Sequence, residues 1–265
     1  MGQYSSYQDN ITADTSRYPS PGIWSALDAL SEREGRTVGV WDDFATFPVT
    51  WGTTEGNWSR YKTFGSSGAA GADGDTVGGV LKMTEATDDE GMTLATTGLP
   101  FQIINTGGML GFEARIACST INNAAGGMFV GLADQITYSV GEPITTGGVI
   151  LTTGNYVGWY RVEADGDQLD AIAQEDSETL VTVKADAHTL VADTYVKVGF
   201  LFEPVKKLVT YFVNGVPLSA TKAVSDTAGS AFPNDVRLGM VFGFTSGATT
   251  PSVWSMDWWK CYQAV

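Results

Sequence analysis

Between Tyr195 and Ser219 apolar and polar positions alternate with a period of two. Val196, Val198, Phe200 and Phe202 fall on one face of an extended chain, and Lys197, Gly199, Leu201 and Glu203 fall on the other. The alternation breaks over Glu203–Lys207, resumes through Leu208–Val213 and then meets Asn214-Gly215. Both residues tolerate positive φ, which a two-residue type I′ hairpin turn requires at its two central positions. Pro217, on the returning stretch, has no N–H to donate and suits a strand with a free edge. The segment predicts an antiparallel meander.

The same grammar covers most of the chain. Met109–Ser119 alternates cleanly, Gly127–Ala133 is an apolar run suited to a strand buried on both faces, and Asn155–Ala164 and Gln168–Glu175 flank a turn at Asp165-Gly166-Asp167. Further strands are predicted over Thr37–Phe47, Trp58–Phe64, Val80–Thr84, Met92–Thr96, Leu180–Lys184, Arg237–Thr245 and Val253–Gln263. The last is apolar on both faces, so it belongs at a sheet centre, its tryptophans packing near Trp41 and Phe44. Closely spaced strands with glycine-rich turns and no fixed-period repeat predict an all-β, antiparallel two-sheet sandwich over 38–265. Residues 1–37 read differently, as an extended N-terminal arm. A short helix is predicted over Ile23–Arg33, where Trp24, Leu27 and Leu30 recur at spacing three and Ser20 or Ser25 offers a cap.

The net charge of −15 over 265 residues makes nucleic acid an unsuitable partner. No apolar run reaches the roughly 20 residues that cross a bilayer, so no membrane partner is expected. The first ten residues lack the basic and apolar regions of a secretory signal, which predicts synthesis in a cytoplasm without export by that route. Cys118 lies within the alternating strand Met109–Ser119 and reads as a buried free thiol, and its distance from Cys261 is left open.

Two resemblances emerge from these strands. F-E-A-R-I (Phe112 to Ile116), G-M-F-V-G-L (Gly127 to Leu132) and V-K-V-G-F with V-T-Y-F-V-N-G-V (Val196 to Val216) resemble the legume-lectin and laminin-G type jelly roll, the concanavalin A-like fold. W-D-D-F (Trp41 to Phe44), F-E-A-R-I, V-A-D-T-Y-V-K-V-G-F (Val191 to Phe200) and M-D-W-W-K-C (Met256 to Cys261) together resemble a group of tailed-bacteriophage virion proteins. This second resemblance implies a non-enzymatic structural protein located on the virion, and from it we expect a capsid decoration or cement protein. Its arm, through Tyr4, Tyr7, Tyr18, Trp24 and Leu27, is expected to grip the major capsid protein, another virion protein or a symmetry mate in a homo-oligomer, taken as a trimer.

The candidate chemistry is sparse. Laminarinase-type hydrolases of this fold set three acids at alternate positions of one strand. The equivalent strand here offers Glu113, then Arg115, then Ala117, which cannot supply both nucleophile and acid. Glu113 and Arg115 read as an exposed pair. Trp159, Arg161 and Glu163 share one parity and form the alternative site: an aromatic and polar row for stacking on a glycan, as in a lectin-like attachment module of a head or tail fibre. Its ordinary reading is a solvent-facing or neighbour-covered row. No cofactor is expected. Asp73/Asp75, Asp88/Asp89/Glu90 and Asp165/Asp167/Asp170 are oxygen-rich enough for calcium but lack its loop spacing, and His188, the only histidine, has no partner for zinc.

Overall fold

The computed structural model describes residues 15–34, 37–45, 56–58, 61–65, 69–72, 79–121, 126–134, 143–145, 148–224, 232–234, 236–247 and 252–265. Among the described residues, helix α1 (Pro21–Glu34) precedes sixteen strands. The first six are β1 (Thr37–Asp42), β2 (Gly56–Trp58), β3 (Tyr61–Gly65), β4 (Ala69–Ala72), β5 (Leu81–Glu85) and β6 (Gly91–Thr96). Then come β7 (Leu110–Cys118), β8 (Met128–Ala133), β9 (Tyr156–Arg161), β10 (Gln168–Gln174) and β11 (Val181–Thr189). The last five are β12 (Val196–Glu203), β13 (Leu208–Val213), β14 (Val216–Ala223), β15 (Gly239–Thr245) and β16 (Ser252–Ala264).

The strands form two antiparallel sheets. The first runs β14-β13-β12-β7-β16-β5-β4, with β1 also paired to β16, and the second runs β11-β10-β9-β8-β15-β6-β3-β2. Strand β16 lies between β7 and the pair β5/β1, the central place its two apolar faces predict. Phe44 packs on Trp259 with ring centroids 6.1 Å apart, whereas Trp41 is 53% exposed, so only the first of the two expected aromatic neighbours is a core contact. The Asn214-Gly215 turn carries φ of 48° and 77°, as a type I′ hairpin requires, and Pro217 sits on the edge strand β14.

Three apolar clusters follow from this layering. The largest fills the space between the sheets and contains Phe112, Phe200, Trp159, Tyr211, Phe242 and Trp254. A second, with Phe129, Ile144, Tyr156 and Tyr160, lies on the outer side of the second sheet. The third joins Ile23, Trp24 and Leu27 of α1 to Leu201 and Phe212 on the outer side of the first sheet. Both cysteines are buried and free; Cys118 is aligned with Trp254 on β16 and Cys261 with Phe112 on β7.

Candidate functional site

Register aligns the outward residues of the first sheet into rows. Gly199, Glu113, Lys260 and Trp41 make one; Leu201, Gly111, Tyr262 and Gly39 make the next; Lys197, Arg115 and Trp258 make a third. The glycines matter because they lower the surface. A Cβ on Gly111 would come within 2.7 Å of Leu27 Cδ1 and 3.0 Å of Ile23 Cγ2, and one on Gly199 within 2.9 Å of Ile23 Cδ1. Helix α1 therefore seats its apolar side chains in a depression that only glycine leaves open.

The approach to this seat is fixed by charged groups. Ser20 begins the helix, its carbonyl accepting from the N–H groups of Ile23 and Trp24 at 3.0 and 3.2 Å, with Pro21 in the first helical position. Oε2 of Glu113 accepts from the Ser20 N–H at 2.9 Å and from the Trp24 indole N–H at 2.8 Å. Lys197 Nζ donates to the Tyr18 carbonyl at 2.9 Å, and the Asn214 side chain in turn accepts from the Lys197 N–H. Lys260 pairs with Asp28 at 2.7 Å and lies 4.2 Å from the centre of the Trp24 ring. Asp257 takes Arg17 at 2.7 Å and Arg115 at 2.6 Å, and the Trp258 indole donates to the Arg17 carbonyl. Glu113, Lys197, Asp257 and Lys260 are all nearly or fully buried. Burial pushes the Glu113 carboxyl above the ordinary carboxylate range, against the opposing pull of Ser20, Trp24 and Lys197.

This arrangement corrects two expectations. Glu113 is not half of an exposed pair: the outward face of β7 is covered by α1, so an outward residue there is a buried one. Trp24 and Leu27 are 2% and 0% exposed against their own sandwich and cannot be the residues that grip a partner. Tyr18 is 77% exposed, while Tyr4 and Tyr7 lie outside the described residues. Sequence reasoning placed Ser20 at the helix start, where it lies, but missed Arg17, Asp28, Lys197, Asp257 and Lys260. The available signal was glycine at facing outward positions of neighbouring strands, Gly111 and Gly199, which marks close approach by another backbone or helix.

The row Trp159, Arg161, Glu163 does not form a glycan-binding face. Trp159 is fully buried between the sheets, its indole donating to the Gly199 carbonyl at 3.3 Å and its ring set edge-on to Tyr211. Arg161 is also fully buried and donates to the carbonyls of Gly166 and Gly126. Glu163 lies past the strand end in a 3₁₀ turn, where burial and the charges of Asp89 and Asp88 raise its pKa. The parity was legible, but inward and outward were exchanged.

The acidic residues gather differently from the grouping the sequence suggests. Carboxylate oxygens of Asp165, Asp170 and Asp186 lie within 4.8 Å of one another, whereas Asp167 accepts from the Gln168 side chain and Asp73 and Asp75 lie outside the described residues. Binding through one oxygen each, three carboxylates supply half or fewer of the roughly six to eight oxygens that calcium takes. Burial, together with the charges of Asp165 and Asp186, raises the Asp170 pKa.

No protein-family model and no curated protein matches this chain. Solved structures do. The chain is similar to the winged bean acidic lectin, with a TM-score of 0.57 at 13% identity over 86% of this chain and 98% of the lectin. It is also similar to a protein of unknown function from Shewanella oneidensis, with a TM-score of 0.54 at 12% identity over 95% of this chain and 97% of that one. The fold is a lectin-type jelly roll. A structure described among gut-microbiota endo-acting O-glycanases shares it, with a TM-score of 0.50 at 12% identity over 85% of this chain and 98% of that one. Binding proteins and hydrolases thus stand on one scaffold, so function has to be argued from the site.

Proposed function

We propose that this protein is a non-enzymatic structural component of a tailed-bacteriophage virion, a capsid decoration module whose jelly roll serves as a rigid body. One observation carries the reading: the outward face of the Glu113 strand is closed by the protein's own N-terminal segment. Glu113 is buried beneath α1 with its Oε2 taken by Ser20 and Trp24, and Asp257 is buried and held by two arginines, so neither carboxylate is placed to meet a glycosidic bond. The four motifs that resemble virion proteins, from Trp41 to Cys261, support it from the sequence side. With Trp24 and Leu27 committed to the body, the docking role falls to the segment preceding α1, whose exposed edge is Tyr18.

The experiment is co-sedimentation of the purified chain with phage particles that lack it, followed by electron microscopy. Ordered density on the particle, lost on deleting residues 1–14 together with Tyr18→Ala, is the expected result. A chain that ignores the particle while its clamp is intact overturns the proposal. Glycan binding is the second reading, favoured by the lectin-type body and by an open cleft of about 570 Å³ lined by Gln102, Thr106, Arg237 and Gln263. A glycan-array hit abolished by Arg237→Ala, with no particle binding, selects it.

A further inference from the structure

Among the described residues, β14, β4, β11, β2 and β1 end the two sheets, and all but β1 are guarded against a further strand. Strand β14 carries Pro217 and a register shift against β13. Strand β11 pairs with β10 through two register shifts and bears Lys184, Asp186 and His188. Strands β4 and β2 run for only four and three residues. Proline, irregular pairing, charge and shortness each discourage edge-to-edge addition. Strand β1 uses none of them: its six residues, TVGVWD, pair with β16 without a shift, hold no lysine or proline, and are charged only at the last position.

The direction of the backbone groups on β1 follows from its neighbour. The Ala264 N–H donates to Met109, on the β7 side of β16. Such groups alternate sides along an antiparallel strand, so Gln263 and Cys261 turn theirs toward β1, where they meet Val38 and Val40. The N–H and C=O of Gly39 and Trp41 therefore point away from β16, to an edge where no described residue pairs with them. Both residues are exposed on the outer face, Trp41 to 53%. The Tyr262 ring lies against Gly39, where a Cβ would come within 2.2 Å of Tyr262 Cδ1.

We propose that β1 is a docking edge for β1 of a second copy, the two strands running antiparallel about a two-fold axis at Val40. Gly39 of each chain then faces Trp41 of the other, so the outward N–H and C=O groups at both positions find partners. Like faces stay together, and the exposed indole lies across a residue without a side chain, beside the Tyr262 ring of the other copy. The next registers of the same parity set Trp41 against Thr37 or against its own counterpart, where β-carbons crowd it. Six residues a side are far fewer than the roughly 20–30 of a standard interface, so the dissociation constant falls at about 10 μM to 1 mM. Pairing consumes both edges, and assembly through β1 stops at two chains. The proposal does not depend on the virion reading.

The test is sedimentation velocity of the full chain from about 1 μM to about 1 mM, with hydrogen exchange of single amides followed by NMR over the same range. The mass should rise toward that of a dimer. The Gly39 and Trp41 amides should gain protection with concentration, while those of Val38 and Val40 are protected throughout. Trp41→Glu, at an exposed position, should raise the dissociation constant about tenfold or more without lowering the melting temperature. A monomer at every concentration overturns the proposal, as does a dimer whose Gly39 and Trp41 amides stay unprotected or one that Trp41→Glu leaves intact. Protection of those amides only when phage particles are added, with the free chain monomeric, gives the edge to a foreign strand and likewise overturns it.

Discussion

Replacing Glu113 by alanine should release the N-terminal segment and leave the sandwich standing. The substitution strands two buried donors, the Ser20 N–H and the Trp24 indole N–H, which now have one acceptor between them. Each stranded donor costs about 1–3 kcal/mol, so the clamped state loses about 2–6 kcal/mol relative to an opened one. Opening is opposed by re-exposing Ile23, Trp24 and Leu27, at about 1.5–3 kcal/mol per side chain. The loss is therefore large enough to shift opening without guaranteeing that the segment is always open. A midrange cost of about 4 kcal/mol corresponds to roughly a 10³-fold rise in local opening. Hydrogen exchange resolved by peptide reads this directly: amides of Pro21–Glu34 should lose protection while β8, β9 and β15 in the second sheet keep theirs. Unchanged protection in α1, or loss of protection throughout both sheets together, would refute the reasoning.

The same packing fixes the outcome of five further experiments. Gly111→Ala places a Cβ against the movable ends of Leu27 and Ile23, so it should raise α1 exchange with little effect on the sandwich; Gly199→Ala meets the Phe112 carbonyl at 2.5 Å and should lower the melting temperature. Trp159→Ala should destabilise the sandwich by about 3–5 kcal/mol in denaturant titrations, because it empties a fully buried site between the sheets. Asp170 has a raised folded pKa, so its contribution favours folding below the ordinary carboxylate range and is lost as pH rises through the folded value. Asp170→Asn should accordingly melt higher than wild type near neutral pH, with the gap closing toward pH about 4. Burial raises the Cys118 pKa to about 11 and that of Cys261 well above its ordinary value, so a thiol reagent near pH 8 should label neither thiol in the folded protein and both after denaturation.

The sandwich was readable because alternation, apolar runs and the Asn214-Gly215 turn are local signals, and the strands they predict fall within a residue or two of β7, β8, β12, β13 and β16. The site was not, because alternation assigns a residue to a face and says nothing of what covers that face. Glu113 was placed outward correctly and exposed wrongly, since the cover comes from some ninety residues upstream, in a helix whose spacing-three row of Trp24, Leu27 and Leu30 marks an apolar side without saying what that side meets. Trp159 failed for the opposite reason: on β9 both faces are buried, so parity could not distinguish the one facing the first sheet from the one under Ile144 and Tyr160.

The clamp itself is best tested by geometry. An ideal Cβ on Gly215 would sit 3.2 Å from Ser20 Cβ, so a shift of a few tenths of an ångström brings the pair to the roughly 3.5–4.5 Å across a disulfide. Cysteines at both positions should therefore oxidise within one chain, giving a monomer two mass units lighter by non-reducing mass spectrometry, despite the cost of a non-glycine residue at a φ of 77°. Disulfide-linked dimers, or two thiols that stay reduced under the same oxidant, would mean that the N-terminal segment does not lie across its own sandwich.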